Sequence, residues 1–158
     1  DASVAIKTAM NLSLEIEQLF LTHTHLDHII DRTTVEGHNP HLKTHVNALE
    51  PAEGALRFHP GDSFSIGALC VSTRLTKGHS PGGITYVIEG LRRPVAIVGD
   101  ALFAQSMGGG MISYQDALAT NRSELFTLED DTVICPGHGP MTSVAEEKAH
   151  NPFYPEFK

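Results

Sequence analysis

The stretch Leu21-Thr22-His23-Thr24-His25-Leu26-Asp27-His28-Ile29 follows directly on Leu19 and Phe20 and places four metal-binding side chains within six residues. A strand that ends in a turn aims His23 and His25 at one point, because alternate residues of an extended chain share a side. Asp27 and His28 come one turn later, where the chain is expected to enter a helix, and they point to a neighbouring position. The spacing therefore predicts two adjacent metal sites. His-x-His alone arises by accident on protein surfaces, whereas His-x-His-x-Asp-His after a strand is a specific pattern.

Three more apolar runs end in a group of the same kind. The run from Cys70 to Thr76 leads through Lys77-Gly78 to His79, Val95-Ala-Ile-Val-Gly leads to Asp100, and Thr132-Val-Ile-Cys-Pro-Gly leads to His138. Read as neighbouring strands, these runs would bring their ends along one edge. A glycine beside each ligand lets the backbones crowd together there. Imidazoles and carboxylates suit zinc, and also iron or manganese. Three histidines would hold one ion and leave a position for water, and Asp100 would be well used bridging to a second ion. Two cations sharing a water lower its pKa from about 15.7 towards about 7, so metal-assisted hydrolysis is the implied reaction class.

Composition sets the surroundings. A chain of 158 residues, 41% hydrophobic and 19% charged, fits one globular domain over residues 1–158. The formal charge of −8 argues against nucleic acid as the main partner. No apolar run approaches the roughly 20 residues of a membrane span. With no visible signal peptide, a cytoplasmic home and a small-molecule substrate are the expectation, and an oligomer is compatible with it. Cys70 and Cys135 make no disulfide framework and read as small buried hydrophobes. Ten histidines exceed what a surface needs, but His38, His41 and His59 lie in turn-rich segments and are expected to be dispensable for metal.

The elements interleave. A helix is expected from Val4 to Leu14, a strand from Ile16 to Thr22, and a helix from His28 through Thr34 that Gly37 ends. Strands follow near Leu42 to Val46, at Ser63 to Ile66 and Ala68 to Thr76, at Ile84 to Glu89 and Pro94 to Val98, and at Thr132 to Cys135. Ser113-Tyr-Gln-Asp116 and Ser143-Val-Ala-Glu146 read as capping boxes, the first opening a helix to about Leu128. Hairpins among these strands argue against a purely parallel sheet and for a mixed sheet or two sheets flanked by helices.

Thr22-His-Thr-His-Leu-Asp-His28, Gly78-His-Ser-Pro-Gly82, Gly99-Asp100 and Pro136-Gly-His-Gly-Pro140 together resemble the metallo-β-lactamase superfamily, and within it glyoxalase II-like hydrolases. The resemblance covers nearly the whole chain. It implies an α/β fold, an αββα sandwich of two mixed β-sheets with flanking helices. It implies that His23, His25 and His79 bind a first metal, that Asp27, His28 and His138 bind a second, and that Asp100 bridges them. Asp27, His28 and Asp100 are expected to be catalytic as well as ligating, and two zinc ions are the expected cofactor.

Three features depart from the family pattern. The first helix begins almost at Asp1, so the N-terminal strands usual in the family are expected to be missing or supplied by another chain. The chain ends at Lys158 without the C-terminal helical domain with which glyoxalase II holds glutathione. The Gly-Arg-Thr-Asp run common after the bridging aspartate is replaced by Ser106-Met-Gly-Gly-Gly-Met-Ile112. The expected activity is hydrolysis of a thioester or similar small ester, with modest preference among thioesters. The alternative is a persulfide dioxygenase with one iron held by His23, His79 and Asp100. A metal-binding scaffold without turnover is disfavoured because every ligand position holds a competent residue, and phosphodiester cleavage is disfavoured by the acidic charge.

Overall fold

A computed structural model describes residues 2–157. Its first half runs α1 (Ala2–Asn11), β1 (Gln18–Phe20), α2 (Leu26–Ile29), α3 (Arg32–His38), β2 (Lys43–Asn47), β3 (Leu56–Phe58), β4 (Ser63–Ile66) and β5 (Leu69–Leu75). The second half runs β6 (Ile84–Glu89), β7 (Val95–Gly99), β8 (Leu102–Phe103), β9 (Ser106–Met107), α4 (Tyr114–Thr120), β10 (Val133–Pro136), β11 (Thr142–Ser143), α5 (Val144–His150) and α6 (Tyr154–Phe157).

Strand β6 shows why these residues form layers. Ile84 and Tyr86 face one way and join Phe58, Val71, Phe20 and Phe64 in an apolar cluster. Val87 faces the other way and joins Ala96, Val98, Ile134, Leu118, Leu125 and Val144. A strand apolar on both faces must be covered on both. One side is covered by the smaller sheet, order β1-β2-β3, and the other by α4 and α5 over the larger sheet, order β11-β10-β7-β6-β5-β4. A third cluster, Leu21, Val46 and Ala52 with Leu19 and Ile29, seals the outer side of the smaller sheet. The result is an αββα sandwich. The larger sheet is mixed, with β10 parallel to β7 and the other pairs antiparallel, whereas β1, β2 and β3 run parallel. Tyr86 ties the sheets together, its hydroxyl donating to the Leu21 carbonyl at 2.6 Å.

Several expectations are corrected. The helix after the histidine cluster is two pieces, and the second runs past Gly37 to His38. The break falls at Ile30-Asp31, where the Asp31 carboxylate accepts from Ala2 N at 2.8 Å instead of capping α3. The helix opened by Ser113, whose side chain accepts from Asp116 N, is α-helical only to Thr120. A π-helical turn follows over Asn121–Leu125, with Phe126 N donating to Asn121 O at 3.0 Å. The buried Asn121 side chain donates to the Ala101 carbonyl, which fixes that turn. Cys70 is exposed, because Val71 and Thr73 take the inward positions of β5. Cys135 is half-buried, and burial pushes its thiol up, away from the reactive thiolate. Among the described residues no helix is long and apolar enough to cross a membrane.

His45 places an imidazole inside the aromatic layer. It stacks on Phe20 at 4.7 Å and meets Phe64 edge-on at 5.0 Å, and its Nε2 is buried with no hydrogen-bond partner. Burial, then the Lys43 charge, lowers its pKa. The folded state thus binds this proton less readily than the unfolded chain, so the stability present above the ordinary value of about 6.5 is lost as pH falls below it. His45→Phe removes both the orphaned nitrogen and the titration. We expect it to stabilise the fold by about 1 kcal/mol near neutrality and to flatten the decline of Tm on acidification. An unchanged decline would place the acid sensitivity elsewhere.

Candidate metal centre

The centre sits where the two sheets meet. Leu21 N donates to His45 O at 3.0 Å, which keeps the chain beside β2 after β1 ends. Thr22 O then accepts from Ile84 N at 2.9 Å, at the start of β6, and stitches the smaller sheet to the larger. His23 and His25 follow, the latter extended (φ −64°, ψ 149°) as it enters α2, whose single turn carries Asp27 and His28. His79 lies on the connection from β5 to β6, Asp100 directly after β7, and His138 two residues after β10. Gly137 N donates to Gly99 O at 2.8 Å, drawing the last two loops together. A Cβ on Gly137 would overlap Asp100 Oδ1 and the His28 ring, so glycine is required for this approach.

All seven sequence-predicted residues arrive in one place, in three overlapping groups whose ligand atoms lie within 4.8 Å of one another. The groups are His23, His25 and His79; His23, His28 and Asp100; and Asp27, His28 and His138. His79 Nε2 is 3.0 Å from His25 Nδ1. Asp100 stands between the groups: Oδ1 is 3.2 Å from His28 Nε2, and Oδ2 is 3.4 Å from His79 Nε2 and 3.6 Å from His138 Nε2. Asp27 Oδ2 lies 3.1 Å from His138 Nε2 and 3.6 Å from His28 Nε2.

The donor set fits a cation. His23 Nε2, His28 Nε2 and Asp100 Oδ1 are buried without a hydrogen-bond partner, a costly state that a bound ion would relieve. Burial foremost, then the neighbouring His28 imidazole, pushes His23 down to about 4, against the pull of Asp100. Its ring is therefore neutral near pH 7, as a ligand must be. At Asp27 desolvation works to raise the carboxyl pKa. A hydrogen bond to its own backbone and the imidazoles of His28 and His138 outweigh that effect and hold it below the ordinary range.

Other residues hold the donors in place. His79 Nδ1 is 3.0 Å from Gly109 O, and His23 Nδ1 is 3.2 Å from Thr22 Oγ1, so each ring has a partner for its second nitrogen. Glu50 is buried and was not singled out from sequence. Its Oε2 accepts from Thr24 N at 3.1 Å and Thr24 Oγ1 at 2.7 Å, while Oε1 accepts from Gly82 N at 2.8 Å. Asn47 Nδ2 donates to Gly82 O at 2.8 Å. One carboxylate and one amide thus clamp the loop of His23 and His25 to the loop of His79. The sequence signal was faint: an acid just after a strand, with no ligand spacing. Phe103, also unforeseen, faces His138 at 6.0 Å between ring centres.

The four ligand-bearing runs are not neighbours in one sheet. Only β7 and β10 pair; β6 separates β5 from β7, and β1 belongs to the other sheet. Convergence comes from the sandwich rather than from one edge. Among the described residues His38, His41 and His59 join none of the ligand groups.

A family model for the metallo-beta-lactamase superfamily matches residues 13–138. A probable metallo-hydrolase of Streptococcus pyogenes is 29% identical, over 86% of this chain and 69% of its own. The human mitochondrial persulfide dioxygenase is 30% identical, over 89% of this chain and 58% of its own, so this chain spans less than two thirds of that relative. Among solved structures, the BLEG-1 B3 metallo-beta-lactamase superposes with a TM-score of 0.83 at 27% identity, covering 98% of this chain and 84% of that one. ETHE1 from Myxococcus xanthus superposes with a TM-score of 0.84 at 27% identity, covering 96% and 68%.

Proposed function

Because this chain belongs to the metallo-beta-lactamase superfamily, we propose that it is a metal-dependent hydrolase that cleaves a thioester or similar small ester, as glyoxalase II-like enzymes do. The observation that carries the reading is Asp100, whose two oxygens face imidazoles on both sides of the centre. His23, His25 and His79 would hold one cation, Asp27, His28 and His138 a second, and Asp100 would bridge. Zinc suits this nitrogen and oxygen set best, with iron or manganese as substitutes. Cations held by these residues would lower the pKa of a shared water towards neutrality and would polarise a carbonyl oxygen.

The chain's own residues supply the rest. Glu50 and Asn47 keep the ligand loops in register, Thr22 and Gly109 orient two rings, and Asp27 stays ionised beside His138. In the overall reaction a bond forms between water oxygen and the acyl carbon, the carbon–sulfur bond breaks, and the thiolate leaves to take up a proton.

A second reading is favoured by the 30% identity with the human persulfide dioxygenase. It would use one iron on His23, His79 and Asp100. Metal content separates the two. Protein purified without added metal should carry about two ions per chain and, when loaded with zinc, hydrolyse thioesters. About one iron per chain, oxygen uptake with glutathione persulfide and no thioester cleavage by either the zinc or the iron form would replace the hydrolase with the dioxygenase.

A further inference from the structure

The run Ser106-Met-Gly-Gly-Gly-Met-Ile112 is not used by the chemistry above, yet it is built against the ligands. We propose that it forms, with Leu26 and Met141, an apolar lip that receives the alkyl chain of an acyl thioester, so that the substrate is a fatty-acyl-type thioester rather than an anionic glutathione thioester. This rests on the hydrolase reading of the same centre.

The run is pinned at several points. Met107 is buried in the main core. A Cβ on Gly108 would overlap the Asp100 carbonyl oxygen and stand 3.3 Å from His79 Nδ1, so the backbone passes flush against two ligands. Gly109 O faces His79 Nδ1 and also accepts from Met111 N at 2.8 Å. Ile112 N and Ser113 N donate to Gly78 O at 3.0 and 3.1 Å, beside His79.

Held this way, Met111 and Ile112 are 72% and 61% exposed. Leu26, between ligands His25 and Asp27, is 73% exposed, and Met141, three residues after His138, is 71% exposed. Single exposed apolar residues need no explanation, but two of these four sit between or just after ligands, and the other two follow the glycines that pass against Asp100 and His79. Two of them are methionines, whose unbranched chains adapt to flexible alkyl groups.

Charge points the same way. Lys77, two residues before His79, is engaged by Asp116 at 3.3 Å. Arg57, near Glu50, donates to the carbonyls of Glu50 and Ala52.

The test uses acetyl, hexanoyl and decanoyl thioesters of one neutral thiol, their glutathione counterparts, and ethyl and decyl thioethers that cannot be hydrolysed. Binding of short and long thioethers is titrated in parallel, on the wild type and on a Met111→Gln/Ile112→Gln double variant checked for native circular dichroism. We expect kcat/KM to rise roughly threefold for each methylene that the lip covers, and thioether affinity to rise with it. In the double variant the long-to-short ratio should fall about tenfold or more in both measurements. Thioether binding that ignores chain length, an unaltered ratio in the variant, or a strong preference for glutathione over the neutral thiol would overturn the lip. Chain-length-dependent binding lost in the variant, with no thioester hydrolysed, would support the lip and defeat the hydrolase reading alone.

Discussion

Asp100→Ala is expected to abolish the paired site, lowering metal content from about two ions per chain to one or fewer and activity by about a thousandfold, the kinetic equivalent of about 4 kcal/mol. Both oxygens of Asp100 are committed: Oδ1 faces His28, and Oδ2 faces His79 and His138. Removing the carboxylate takes away the group that faces His28, His79 and His138 together, and leaves Asp27 as the acid beside His28 and His138. The fold should survive, because Asp100 sits on a loop after β7 and not within the apolar clusters. His25→Ala is expected to behave alike for the first site. Metal analysis together with far-ultraviolet circular dichroism checks both variants. Full occupancy in a folded variant would strike that residue from the ligand set.

Glu50→Ala should act on the metal without touching it. The carboxylate accepts three hydrogen bonds that join the loop of His23 and His25 to the loop of His79. Its loss orphans Gly82 N and Thr24 N at a cost of about 1–3 kcal/mol each. We expect the variant to melt at a clearly lower temperature and to bind metal about 10–100-fold more weakly in competition with a chelator. Glu50→Gln keeps one acceptor and should fall between wild type and Glu50→Ala. Unaltered metal affinity in a folded Glu50→Ala protein would show that the loops hold their geometry unaided.

What sequence could reveal follows from how local each feature is. The run from His23 to His28 was legible because its spacing is itself the geometry, two ligands at the end of a strand and two on the next turn. His79, Asp100 and His138 were legible as polar groups closing apolar runs beside glycine. The hairpins left a single mixed sheet or two sheets open, and the sandwich was implied only by the family resemblance; the two apolar faces of β6 show in the structure why two layers are needed. Strand order was not legible: nothing in the Cys70 to Thr76 run says that β6 will separate it from β7. The break after Ile29 depends on a carboxylate that prefers Ala2 N, and the π-turn after Thr120 on an amide that seeks Ala101 O. Glu50 escaped notice for the same reason, since its three partners lie 26 and 32 residues away.

The stitching of the ligand loops across both sheets also sets an order of events during synthesis. His23 to His28 leave the ribosome before the other predicted ligands, and β1, β2 and β3 can pair soon after. His138 lies about 110 residues behind His28, and its loop is fixed only when β10 pairs with β7. At about 5–20 residues per second, the nascent chain exposes a histidine-rich segment for on the order of 5–20 s before the last ligand can reach it. An ion captured in that interval would have only part of the proposed ligand set. A metal held by all seven groups would therefore be chosen only once the final strand seats.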